Sequence, residues 1–166
     1  MVEKGHKQFT GAIATINTVM LLFNDFKKAF LSWSETLIES KQESGSPICP
    51  YARKARLQNK IQFIDARESL LELNNFERDT FEIGIAWLGD IDNIAPVEKF
   101  CEESMIANPD LLYFTSTRSS GHFAKNFTDC VFIQLKDDIL TKRKHLKSTG
   151  YYDNWPENYY NKIMES

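Results

Sequence analysis

A chain of 166 residues is long enough to bury one domain's core. Its 42% hydrophobic, 26% charged and 13% aromatic residues, with only 7 glycines, exclude a low-complexity or disordered chain. A net charge of −3 and a pI near 5.7 give no support to nucleic acid as the main partner, which asks for a strongly basic face.

The first apolar run, 10–26 (TGAIATINTVMLLFNDF), follows a basic start. Asn17, Thr18, Asn24 and Asp25 interrupt it, and a bilayer span needs ~20 predominantly apolar residues. No small-residue cleavage site follows it. From Ile13 the apolar positions step through Ile16, Met20, Phe23, Phe30, Trp33 and Leu37. That spacing predicts one long helix, or two parted near Asn24 and Asp25, ending about residue 43. Ser44-Gly45-Ser46-Pro47 is a loop. A short helix comes next, with Pro50 in its first turn and Ala52, Ala55 and Leu57 inside.

The period then changes. Residues 61–64 (IQFI) read as a strand and 66–75 as a helix. Residues 80–88 alternate and then turn continuously apolar, as a central strand does. Asp92 or Asn93 caps the following helix, which has Pro96 in its first turn and Val97, Phe100, Cys101 and Met105 on its inner face. Residues 111–115 and 130–135 are the last two strands, joined by the polar loop 116–126. A basic helix over 136–147 is stopped by Gly150, and an aromatic helix closes the chain from 154 to 164. Strands alternating with helices predict a single α/β domain. Its sheet is expected to be four-stranded and mixed, with helices on both faces. The last two strands should be antiparallel, because their connection is too short for a helical crossover. Residues 1–45 form a helical extension, 46–150 the α/β core and 151–166 a docking tail.

The stretch Cys49-Pro50-Tyr51-Ala52, a short helix and then IQFID resembles the start of a glutaredoxin, a family that reads Cys-Pro-Tyr-Cys there. The resemblance implies a thioredoxin-like element order and thiol chemistry at Cys49, with glutathione as co-substrate. Ala52 replaces the second cysteine, so that chemistry would be monothiol. No strand signal precedes Cys49, and the third strand lacks the family's Thr/Val-Pro start. The chain also resembles uncharacterised bacterial proteins with Cys-Pro-Phe-Ala after an N-terminal helix and a later Asn-Tyr-Thr-Asn segment. Here Asn126-Phe127-Thr128-Asp129 stands in that later place.

Cys49, Cys101 and Cys130 are the three cysteines. An odd number without C-x-x-C excludes a disulfide framework or a cysteine metal knuckle and points to a reducing, cytoplasmic setting. Cys101 and Cys130 fall on apolar faces and are expected in the core. Cys49 stands at a helix start, where backbone N–H groups favour a thiolate, with Arg53, Lys54 and Arg56 close in sequence. A phosphatase loop would need arginine where Ala55 stands. Ser116, Arg118, Ser119 and His122 surround Gly121 beyond a strand's carboxyl end, where α/β sheets collect ligands. Asp90 and Asp92 are too few for a metal, and no metal site is predicted. Two readings follow. In one, Cys49 is the nucleophile of a thiol-redox or thiol-transfer domain, and Arg53 and Arg118 hold an acidic co-substrate. In the other, Cys49 is buried in a non-enzymatic binding domain, and the 116–126 loop or the aromatic tail meets a small acidic molecule or a protein.

Overall fold

Strands β1 (Ile61–Asp65), β2 (Ile83–Trp87), β3 (Leu111–Ser116) and β4 (Cys130–Leu135) form one mixed sheet in the order β1-β2-β4-β3. The computed structural model describes residues 22–41, 47, 49–116 and 129–164. β1 and β2 are parallel, with Ile61 opposite Ile83. β4 runs antiparallel to both neighbours, β2 and β3. The predicted antiparallel last pair is therefore present. Its second strand is inserted at the centre, which leaves β3 at the edge.

The helices are α1, described over 22–33 and passing into a π-helical turn (Ser34–Ile38), then α2 (Ala52–Leu57), α3 (Ala95–Ala107), α4 (Lys136–Ser148) and α5 (Glu157–Met164). α1 runs unbroken past Asn24 and Asp25. Four predicted elements differ in their bounds: the first helix ends at Ile38, not about 43, the last begins at Glu157, not 154, and two more are shorter than expected. The helix over 66–75 is a 3-10 helix, Leu70–Asn75. The N–H of Ala66 donates to Trp87 O at 2.9 Å, which keeps the chain in the sheet, and Ser69 Oγ then accepts the Leu71 N–H at 3.2 Å. The second strand begins at Ile83, not at 80, because the Thr80 and Phe81 N–H groups both donate to Glu77 O and close a turn first.

β2 is apolar along its length because it is covered on both faces. Ala86, with Val131 and Ile133 of β4, packs beneath α3 and the 3-10 helix in a core that includes Leu73, Val97 and Cys101. Ile85 and Cys130 face the other way, under Phe26 and Phe30 of α1. Gly84 lets Phe76 sit down on the sheet, since a Cβ there would lie 2.8 Å from the Phe76 ring. Cys101 and Cys130 are both buried, as the apolar patterns around them predict, and burial pushes their thiols up to about 11 and about 12.

Candidate functional site

α1 covers only part of its face, packing Phe26 and Phe30 over Ile85, Cys130 and one side of Phe132. Over the rest lies a cavity of about 490 Å³, within the range of small-molecule sites. Ile83, Ile85, Phe132 and Phe114 line it from the sheet. Phe30, Trp33 and Ile38 close it on the α1 side, and Ile139 and Leu146 of α4 stand opposite. The segment after α4 folds back as a lid. Tyr151, Tyr152 and Trp155 pack edge to face or tilted with centroids 4.9–5.4 Å apart, and the Tyr151 hydroxyl donates to Pro47 O at 2.6 Å. This bond ties the segment after α4 to Pro47, two residues before Cys49.

One corner of the cavity is polar. Cys49, Tyr51, Tyr152, Lys142 and Arg143 all line it. The chain reaches Cys49 from the π-helical turn, with the Cys49 N–H donating to Ile38 O at 3.2 Å. Burial dominates the thiol and pushes it up, although the Tyr51 and Ala52 backbone and the Lys142 charge favour its negative form. Desolvation likewise raises the Tyr152 phenol, with Cys49 and Tyr51 among the groups that act on it. The Lys142 ammonium stands 5.2 Å from the Tyr51 ring centroid. It is bound by Asp138 at 2.7 Å and Glu82 at 3.4 Å. Burial works against its charge, and these carboxylates more than offset the penalty, so Lys142 is held above the usual lysine range.

The sequence placed the wrong cations beside Cys49. Arg53 is exposed on α2 and acts on Glu39, not on the thiol. Arg56 is taken by Glu39 in a two-pronged ion pair of 2.9 and 3.0 Å. The cation that acts on Cys49 is Lys142, from a helix remote in the chain. Ser116 is buried and lines the same cavity. Arg118, Ser119 and His122 lie outside the described residues. Asp90 and Asp92 do not converge with a third acidic, cysteine or histidine ligand among the described residues. Tyr51, Tyr152 and Lys142 were missed as a group. The basic run at 142–145 and the aromatic tail were each visible in the sequence, but nothing local joined them to Cys49.

At the opposite end of the sheet, Asp65 and Arg67 form a second two-pronged pair, 2.8 and 2.7 Å, with the guanidinium 4.3 Å above the Trp87 ring. The Arg67 side chain holds the Asp65 carboxyl below its usual range. Gly89, at φ +71°, leaves room for the Arg67 stem, since a Cβ there would stand 3.1 Å from its Cγ. The pair is self-satisfied and serves to brace the strand ends. No helix among the described residues is long and apolar enough to cross a membrane. No family model, curated protein or solved structure matches this chain.

Proposed function

We propose that this protein binds a small, largely apolar acid in the cavity between α1, α4 and the sheet. The observation that carries the reading is the lining: an apolar floor and walls, two cations, Lys142 and Arg143, and no carboxylate among the described residues. The apolar body displaces water from Phe132, Phe114 and Ile85, and the acidic end lies toward the Lys142 corner. Cys49 contributes a protonated thiol to the wall. Titration with 8-anilinonaphthalene-1-sulfonate tests this, followed by displacement with dodecanoate and with dodecylamine. Saturable binding displaced by the acid and not by the amine is the expected result. Leu146→Trp, which fills the cavity from its α4 wall, weakens it about tenfold. Absence of saturable binding, or equal binding by Leu146→Trp, overturns the proposal.

A second reading keeps Cys49 as a monothiol nucleophile toward glutathione, in a thioredoxin-like arrangement. The Tyr51 and Ala52 backbone and the Lys142 charge acting on its sulfur favour it. Burial of the sulfur opposes it, and no strand among the described residues leads into Cys49. Iodoacetamide alkylation against pH separates the two. A midpoint below the ~8.5 of a free thiol supports nucleophilic Cys49. Protection until unfolding supports the binding reading.

A further inference from the structure

The α3 face of the sheet holds a second cavity, of about 550 Å³, between α3, the 3-10 helix and edge strand β3. Leu73 and Leu111 form its base, and Phe76 and Phe100 are aromatic walls. Its back is polar. Tyr113 and Ser104 line it at only 6% and 8% exposure. Neither hydroxyl is bonded to a partner among the described residues, and both oxygens are open to the cavity. Both hydroxyls are therefore available to a polar occupant of the cavity.

The occupant's chemistry follows from the groups presented. A hydroxyl both donates and accepts. So do the side-chain amides of Asn74 and Asn108 at the same cavity; the Asn108 amide donates weakly, at 3.4 Å, to Ser104 O and leaves its oxygen open. An anion would call for donors alone and an ammonium for acceptors alone. The formal charges of the lining cancel, with one cation, Arg78, and one carboxylate, Glu103. Arg78 is already joined to Asp110, and Glu103 stands 3.9 Å from Lys99. A flat ring carrying both donors and acceptors on its edge suits paired amides and hydroxyls, and its faces suit phenylalanine walls.

We infer that this cavity binds a neutral heteroaromatic molecule of the nucleoside class, stacked between Phe76 and Phe100 and hydrogen-bonded by Tyr113, Ser104, Asn74 and Asn108. It is a site separate from the cavity at Cys49. Ligand-observed NMR and calorimetry with adenosine and uridine as probes test the inference on the full chain, with AMP and benzoate as charged comparators. At least one neutral nucleoside binds saturably and more tightly than AMP or benzoate. Tyr113→Phe weakens that binding about tenfold, while its melting temperature stays level because no hydrogen bond within the protein has been removed. Ser104→Ala gives a second, independent loss of affinity should Tyr113→Phe fold poorly. No saturable binding of either nucleoside overturns the proposal. So does tighter binding of AMP or benzoate, or undiminished affinity in both hydroxyl variants.

Discussion

The two faces of the sheet are closed in different ways. Toward α3, the buried residues of the sheet and its cover interlock: Leu73, Ala86, Val131 and Ile133 have no exposed surface. Toward α1, Ile85 and Cys130 are as deeply buried, but Phe114, Phe132 and Gln134 are only half-buried and open on the Cys49 cavity. The covering helices explain the contrast. α3 buries Val97, Cys101 and Ser104, which descend on one side at helical spacing. α4 buries no residue at all. It offers Ile139, Leu140 and Leu146 among charged side chains, and Leu140 is half exposed. A helix this polar leans on the sheet without sealing it. The lesson is that the first face is sealed over its centre and keeps a cavity only toward its β3 edge, whereas the second stays open over the central strand at Phe132 and Gln134.

The largest effect should come from the sealed interior. Leu73→Ala removes a side chain with no exposed surface that touches sheet and helix alike. It should cost about 3–4 kcal/mol in urea unfolding, the transfer term plus a residual cavity. A loss below about 1 kcal/mol would mean that this face can collapse or is already loose, and the contrast between faces would fail.

Next is the ion pair that ties the π-helical turn to α2 and so frames the open face. The Glu39 side chain is only 5% exposed. Burial pushes its carboxyl up, but the Arg56 guanidinium and the Ser34 hydroxyl together prevail and hold it below the usual range. In the native protein this contribution is fully present above the unfolded carboxylate value, ~4.3, and is lost as pH falls through the lower folded value. Arg56→Met should cost about 3 kcal/mol at pH 7, because a buried carboxylate loses its partner. In that variant burial is opposed only by the Ser34 hydroxyl and the Arg53 charge, so the carboxyl rises and its penalty is relieved when the group is protonated. The gap between variant and parent should therefore narrow as pH falls below about 4. Urea midpoints at pH 7 and at pH 3.5 check it; a gap that is independent of pH would assign the loss to packing of the Arg56 stem.

Much of this architecture is legible in the sequence, and the reason differs element by element. The apolar run through Ile83–Trp87 and the helical spacing of Val97 and Cys101 are local signals, and both elements stand where those signals put them. The failures lie where a distant partner decides. Ala66 is held out of a helix by Trp87 O, which no local pattern reveals. The insertion of β4 between β2 and β3 depends on nonlocal pairing. The site shows the same division. Cys49 was visible from its neighbours, but its half-buried place in a cavity wall was not. Its electrostatic partner Lys142 and its neighbour Tyr152 arrive only when α4 and the tail fold back across the sheet.

The smallest expected effect is the sharpest probe of the comparison. Leu146 lies on α4 at the cavity, half-buried, and no neighbour closes over it as α3 closes over Leu73. Truncation there removes apolar surface that already meets open space, so little packing is lost and no new void is created. Leu146→Ala should change stability by no more than about 0.5–1 kcal/mol, as substitutions away from packed features do. Urea unfolding of the two leucine variants side by side makes the test internal, since both lose the same atoms. A ratio of several-fold upholds the distinction between a sealed face and an open one. Equal costs would mean that Leu146 is packed in solution as tightly as Leu73. The space beneath α4 would then be filled by the protein itself, leaving no room for the proposed acid.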